Sequence, residues 1–460
     1  MLSIDEIVMA TKGKLLSGSG SFRVSGISTD TRKITKGNLF VAIKGDNFDG
    51  HNFIGQAVQA GAGAVMVDHA NVADAENAVV IVVEDTVKAL GAIARFHRKR
   101  FKIPVIGITG SAGKTSTKEF IASVLGKKYR VLFNKGTENN HIGVPMTLLQ
   151  LTKDHEIAVL ELGTNHFGEI AYLADIVRPT VAVFTNVGAS HLAGLGSPEG
   201  VFKEKVTMID YLPKNGKVIF NADDPLLRNL KKKKLSQNIT TYAIDNKADV
   251  KAKAVHSEKG GLIVTLEGGE TIKLKAPVWG NILNALAAVV CGSLFRVSFD
   301  DIREGLLNTD PAKGRQCFHL ASGVTVIDDT YNANPVSYRN ALRTLSLLPR
   351  KGRVFLVAAD MLELGEASDV LHAEIGELAA QSGVDTIFAT GRWASLIGSM
   401  ARAKNSSVEA RYFDKKEDII LALRDQVQFG DIVLVKGSRG MRMESVVVGL
   451  LEHLNKGRPA

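Results

Sequence analysis

The sequence predicts an α/β protein of three units: a small N-terminal α/β unit, a central parallel sheet of the phosphate-loop type, and a C-terminal Rossmann-like unit. Three observations carry this. Val105-Ile106-Gly107-Ile108-Thr109 is a buried-strand pattern that runs into Gly110-Ser111-Ala112-Gly113-Lys114-Thr115 and then into a helix with Phe120, Ile121, Val124 and Leu125 on one face. Runs at 157–160, 181–184 and 218–220 are apolar on both faces, as strands of a covered parallel sheet are. After a turn-rich break at 310–314, strand patterns recur at 324–328, 354–358, 386–389 and 432–435 with helical patterns between them. The expected units span 1–83, 84–313 and 314–460.

In chain order, Ser3-x-x-Glu6 is a capping signal that opens a first helix bearing Ile4, Ile7 and Val8. Strands are expected at 39–43, 64–67 and 79–83, and a helix over 86–98 leads into the glycine loop. Between 262 and 274, two alternating runs flank Gly268-Gly269, a hairpin signal. A helix follows over 282–295.

Composition narrows the class. At 460 residues the chain has room for two to four domains of roughly 150 residues each. Two cysteines, Cys291 and Cys317, exclude a disulfide framework and fit a reducing cytosol. Asp5 and Glu6 interrupt the first apolar stretch, against a signal peptide. No run nears the roughly 18 apolar residues of a spanning helix. The expectation is a cytoplasmic chain with no stable membrane insertion. A net charge of +9 fits anionic substrates such as nucleotides, although bulk charge selects no partner. The basic run Lys231 to Lys234 reads as a solvated face, and no nucleic-acid partner is expected.

The glycine loop is the chemical focus. Backbone N–H groups of Gly110, Ser111, Ala112 and Gly113 at a helix N-terminus can cradle phosphate oxygens. Lys114 would reach the β- and γ-phosphates, and the Thr115 hydroxyl would bind Mg²⁺. Ile108 stands where the longer form of this motif has its first glycine. The reading is a nucleoside triphosphate site.

Further candidates sit at the ends of the predicted strands. Glu161 is a hard oxygen donor suited to Mg²⁺. The loop 185–191 offers His191, and Lys203 and Lys205 follow on a helix. Asn281, taken alone, reads as a helix cap. Asp328-Asp329-Thr330-Tyr331-Asn332-Ala333-Asn334-Pro335 is a polar loop whose carboxylates, ring and amides can hold a ribose and a base, or simply form a turn with Asx hydrogen bonds.

In this order, these motifs resemble the Mur ligase family, the ATP-dependent amide-forming enzymes of peptidoglycan synthesis. Thr29-Asp30-Thr31-Arg32, the run from Gly37 to Gly45 and Asp49-Gly50-His51 look like the family's UDP-substrate region. Gly163-Thr164-Asn165-His166-Phe167-Gly168-Glu169-Ile170 is similar to its central signature. The loop from Asp328 to Pro335 is most like the branch that joins D-alanyl-D-alanine to UDP-N-acetylmuramoyl-tripeptide.

The resemblance implies ATP and Mg²⁺ as cofactors, those two molecules as substrates, and a monomer. It implies that Lys114 holds the triphosphate together with Ser116, that Thr115 and Glu161 serve one Mg²⁺, and that His191 serves a second. Lys205 falls where the family carries a carbamylated lysine, with Lys203 left open as the alternative. Asn281 and Asn284 would lie near adenine. Arg315, Asp329, Tyr331 and Asn332 would reach the nucleotide. Ser28, Asp30, Thr31, Arg32, Lys44, Gly45, Asp49, His51, Asn139, Asn140, Asn334, Asp360, Leu364 and Ser438 would contact the UDP-peptide or the incoming dipeptide.

Three positions depart from the family pattern. Gly280 replaces a histidine, Thr137 an asparagine and Thr31 a serine. Alternatives of other kinds are a ligase acting on another nucleotide-linked peptide or on folate, an NTPase switch or kinase, and a non-catalytic regulator. A switch or kinase would use Lys114 and Thr115 but leave Lys205, His191 and the last unit idle.

Overall fold

The computed structural model describes residues 2–45, 48–71, 75–258 and 260–456. It contains three α/β regions, each with its own sheet. In the first, β1 (Lys14–Ser17), β2 (Ile27–Ser28), β3 (Leu39–Val41), β4 (Ala64–Val67) and β5 (Val79–Val82) pair in the order 1-5-4-3-2. Only β1 runs antiparallel to its neighbour. The expected capping box is present: Ser3 and Glu6 exchange side chain-to-backbone bonds at the start of helix Ile4–Thr11.

The central sheet comprises β6 (Val105–Thr109), β7 (Val131–Phe133), β8 (Ile157–Glu161), β9 (Val181–Phe184), β10 (Lys217–Asn221), β11 (Asn238–Ala243), β12 (Val250–Glu258), β13 (Gly261–Leu266) and β14 (Thr271–Leu274). Their order is 14-13-12-11-10-9-6-8-7. The hairpin expected around Gly268-Gly269 is the antiparallel pair β13–β14. Ile106 and Ile108 face helices Lys114–Leu125 and Trp279–Leu294, while Val105 faces the opposite core with Leu160 and Leu173. From β6 the chain crosses to β7 and β8 on one side and then to β9 on the other. That reversal opens a crevice at the carboxyl ends of β6, β8 and β9.

The last region carries β15 (Cys317–Ala321), β16 (Val324–Asp329), β17 (Val354–Ala359), β18 (Thr386–Thr390), β19 (Glu409–Tyr412) and β20 (Ile432–Lys436), ordered 15-16-20-17-18-19. All pairs are parallel except β15–β16. Helices cover both faces.

Several details correct the sequence expectations. The helix expected from 282 begins at Trp279, so Asn281 lies inside its first turn and is not its cap; Val278 is. β11, β12, β15 and β19 were not expected, because their exposed or edge positions carry polar and charged residues. Helix Thr86–Arg98 is shared: Ala89, Leu90 and Ile93 pack in the first core and Ala94 in the central one. Both cysteines are free, and Lys231 to Lys234 are exposed. No helix among the described residues is long and apolar enough to cross a membrane.

Candidate active site

A cavity of about 770 Å³ opens where the sheet topology places it, at the carboxyl ends of β6, β8 and β9 and against the last region. Ser111, Ala112, Gly113, Lys114, Thr115 and Ser116 form its floor. Gly110 is the bend beneath them. A Cβ added at Gly110 would lie 1.9 Å from Thr185 Oγ1, so β9 packs against this loop too closely for any side chain. Gly110→Ala is therefore expected to cost about 1–3 kcal/mol, an overpacking penalty. A lowered denaturation midpoint together with weakened nucleotide binding would register it.

The loop amides are not all available, which corrects the expected cradle. Ser111 N–H donates to Asn186 O (3.0 Å) and Ala112 N–H to Asn186 Oδ1 (2.8 Å). The N–H groups of the first helical turn, from Lys114 onward, remain for phosphate. Lys114 Nζ folds back onto Gly110 O at 2.8 Å. Burial lowers the Lys114 pKa; Glu161 opposes that shift and Arg315 adds to it.

Thr115 Oγ1 donates to Glu161 Oε2 (2.8 Å), and Asn139 Nδ2 donates to Glu161 Oε1 (2.6 Å). Glu161 is 1% exposed and forms no ion pair among the described residues. A buried carboxylate held only by neutral donors beside a hydroxyl is an oxygen-rich set that fits Mg²⁺. Asn134, which the sequence reading missed, fixes the end of β8: it accepts from Glu161 N–H and donates to Glu161 O and Glu138 O. Asn140 lines the cavity, but its Oδ1 caps helix Gly143–Leu148 through the Ile142 and Gly143 N–H groups.

Lys205 and Lys203 are separated by the structure. Both lie on helix Pro198–Val206, where Lys203 is exposed and Lys205 only 1% exposed. Burial drives the Lys205 pKa well down, and the Lys114 charge drives it further; Glu204 partly opposes. His191, expected as a metal ligand, lines the cavity with its Nδ1 2.5 Å from Glu363 Oε2. That contact, made first among its causes, holds the Glu363 carboxyl below its usual pKa. Glu363 was not among the residues expected from the sequence.

The last region closes the cavity. Tyr331 OH donates to Thr137 Oγ1 (2.7 Å), and its ring lies under Arg315, 4.2 Å from guanidinium carbon to ring centroid. Asn334, expected on substrate, has two structural tasks: it caps helix Pro335–Leu345 and donates to Ser111 O (3.1 Å). Asp329 pairs with buried Lys436 at 2.7 Å, and burial still raises its pKa against that pull. Asn332 Oδ1 accepts from Ala333 N–H. Asn284 accepts from Thr117 Oγ1 and donates to Asn281 Oδ1, beside Gly113. Tyr331→Phe removes one hydrogen bond across the cleft, about 1 kcal/mol. The expected result is a KM for ATP raised roughly fivefold with kcat nearly unchanged, read by steady-state kinetics.

Besides Gly110 and buried Lys205, eleven expected residues lie outside this cavity. Asp360 is buried, and its carboxylate accepts from the N–H groups of Arg392, Trp393 and Ala394. Leu364 is in the core of the last region. Ser438 Oγ accepts from Leu362 N–H and donates to Ala333 O. In this conformation all three make contacts within the fold. Ser28, Asp30, Thr31, Arg32, Lys44, Gly45, Asp49 and His51 belong to the first region. There Ser28 Oγ donates to Asp30 O, Thr31 Oγ1 to Gln56 Oε1, and Lys44 bridges to Asp49 across Gly45. Arg32 chelates Asp30 through two 2.9 Å bonds and holds its carboxyl at about 2.

Comparison with known proteins follows the same three regions. Residues 23–98 match the catalytic domain of the Mur ligase family, 108–292 the Mur ligase middle domain, and 314–439 the Mur ligase glutamate ligase domain. UDP-N-acetylmuramoyl-tripeptide–D-alanyl-D-alanine ligase of Bacillus subtilis is 37% identical over 432 residues, 93% of each chain. The chain belongs to the Mur ligase family. The Escherichia coli ligase of the same name is also 37% identical, over 94% of each chain. Among solved structures, MurF from Acinetobacter baumannii superposes on this Mur ligase with a TM-score of 0.88 at 32% identity, covering 98% of both chains. MurF from Thermotoga maritima in complex with ADP gives 0.82 at 30% identity, over 94% of this chain and 98% of that one.

Proposed function

We propose that this chain joins D-alanyl-D-alanine to UDP-N-acetylmuramoyl-tripeptide using ATP, as a cytoplasmic monomer that makes peptidoglycan precursor. One observation carries the reading. The phosphate loop, the Thr115–Glu161 pair and the Arg315–Tyr331 stack face one cavity in a chain that matches tripeptide ligases along nearly its whole length.

A carboxylate does not condense with an amine at neutral pH, because its oxygen is a poor leaving group. Transfer of the ATP γ-phosphoryl group to the tripeptide's terminal carboxylate gives an acyl phosphate and ADP. The amine of D-alanyl-D-alanine then attacks the carbonyl carbon, loses a proton, and expels phosphate from the tetrahedral intermediate. Lys114 leaves Gly110 O for the phosphates and stabilises charge on the transferring group. Arg315, held flat against Tyr331, adds positive charge on the opposite wall, while Asn281 and Asn284 hold adenine. Asp329 and Asn332 complete the nucleotide wall. Mg²⁺ ions would be held by Thr115 and Glu161 at one position and by His191 at a second, with carbamylated Lys205 as a further ligand, and would supply charge neutralisation.

Lys205 is suited to carbamylation because its burial favours the neutral amine. The nitrogen lone pair forms a bond to CO₂ and a proton is released, which turns a latent cation into an anionic oxygen donor. Glu363 holds His191 through Nδ1, which leaves Nε2 as the nitrogen that would act as a ligand. The first region holds the UDP portion through Asp30, Thr31, Arg32, Asp49 and His51.

The test is amine selectivity. With ATP, Mg²⁺ and UDP-N-acetylmuramoyl-tripeptide, mass spectrometry is expected to find a product heavier by the dipeptide with D-alanyl-D-alanine, and none with free glutamate, D-alanine or lysine. Product from a single amino acid in place of the dipeptide would move the chain to another branch of the family.

A further inference from the structure

The first region carries a cluster of which the ligase reading uses only His51 and its partner Asp49. His51 follows β3 within 3₁₀ turn Gly50–Phe53, and Asp68 and His69 directly follow β4. Because β3 and β4 are parallel neighbours, their carboxyl ends deliver all three side chains to one point. His51 Nε2 lies 3.1 Å from Asp68 Oδ1, and His69 Nδ1 lies 2.6 Å from the same oxygen. The two imidazole rings are 4.7 Å apart. One ligand atom from each of the three residues lies within 4.8 Å of the others.

Two further features mark this as an arranged cluster. Asp49 Oδ1 lies 2.6 Å from His51 Nδ1 and also accepts from the His51 N–H, so the ring is held from behind by a carboxylate. That leaves Nε2 as the nitrogen turned toward Asp68 and His69. A carboxylate backing a ligating imidazole is the arrangement that fixes tautomer and orientation in metal sites. In addition, the demands on Nε2 conflict. Asp68 Oδ1 at 3.1 Å calls for a proton there, while the Asp68 N–H directed at it from 3.4 Å calls for a lone pair. A cation accepts lone pairs from both imidazoles and the carboxylate and removes the conflict.

We propose that His51, Asp68 and His69 form a site for a divalent transition metal of the zinc class, with one coordination position open. Two imidazoles and one carboxylate select borderline ions over Mg²⁺, which prefers oxygen. Bonds of about 2.0–2.2 Å require the three ligand atoms to spread only slightly from their present spacing. His69 is half exposed, so the open position faces water. The site is distinct from the cavity that holds Lys114 and Glu161, and it shares His51 with the proposed UDP contact.

The test uses the full chain in excess Mg²⁺, which occupies the oxygen-rich site, and titrates it with Co²⁺ and then Zn²⁺. One Co²⁺ per chain with the visible absorption of a tetrahedral ion is expected, displaced by Zn²⁺ and not by Mg²⁺. His69→Ala is expected to weaken Zn²⁺ binding by at least about 10–100-fold, the loss that removing even a supporting partner brings. Asp68→Asn, which keeps the side-chain shape, is expected to do the same, with phosphate release from ATP unchanged in both variants. No bound Co²⁺ in the wild type, or equal affinity in both variants, would overturn the proposal.

Discussion

Lys114→Ala is expected to lower kcat for ADP formation by at least about 10²–10³-fold, the usual cost of removing one preorganised donor from a developing charge. The structure makes this variant clean. Lys114 is half-buried at the helix start, and the one hydrogen bond its ammonium makes here is to Gly110 O. Loss of that charged bond costs about 1.5–3 kcal/mol, offset by relief of the buried ammonium, so the denaturation midpoint should move little. A stopped-flow or coupled ADP assay beside a thermal melt separates the two effects. Equal losses of stability and activity would assign Lys114 a structural part.

Lys205→Ala is expected to abolish ligation while leaving nucleotide binding within a few fold of wild type. The argument rests on burial. A lysine that is 1% exposed and close enough to Lys114 to feel its charge is a costly residue to keep as a cation. As a carbamate it becomes an anion that the Lys114 cation attracts. The variant leaves space that a small carboxylate such as acetate or formate can enter. Millimolar concentrations of either should restore part of the lost rate in Lys205→Ala and none in Lys114→Ala. Intact-mass analysis of wild type under bicarbonate should find an increment of one CO₂ that the variant lacks. Lys203→Ala, on the exposed face of the same helix, should retain wild-type rate.

How legible these features were varies with their physics. The phosphate loop was plain in the sequence because strand, glycine bend and helix are contiguous; Gly110 answers to close packing at Thr185 and Gly113 to close packing at Asn284. Lys203 and Lys205 stayed ambiguous because two residues on a short helix differ only in phase, which packing alone resolves. The structural task of Asp360 was hidden: its oxygens cap the turn at Arg392, Trp393 and Ala394, more than thirty residues away. The His191–Glu363 and Tyr331–Thr137 contacts join separate regions across 172 and 194 residues, so no local pattern announces them. Asn134 was missed for a related reason: an amide that serves only β8's backbone looks like any loop asparagine.

Contacts from the last region onto the central one (Asn334 to Ser111 on the loop, Tyr331 to Thr137 after β7) mean that the ATP cavity is completed by side chains more than 190 residues from its floor. Enclosure of this kind keeps water from an acyl phosphate. It also implies that phosphate transfer is tied to occupancy of the peptide site.

Phosphate release from ATP and Mg²⁺ measures this coupling directly, with UDP-N-acetylmuramoyl-tripeptide and D-alanyl-D-alanine supplied singly and then together. Sustained release is expected only with both, in step with a product heavier by the dipeptide. Release that proceeds at the same rate with neither would contradict the ligase account and make the chain an NTPase.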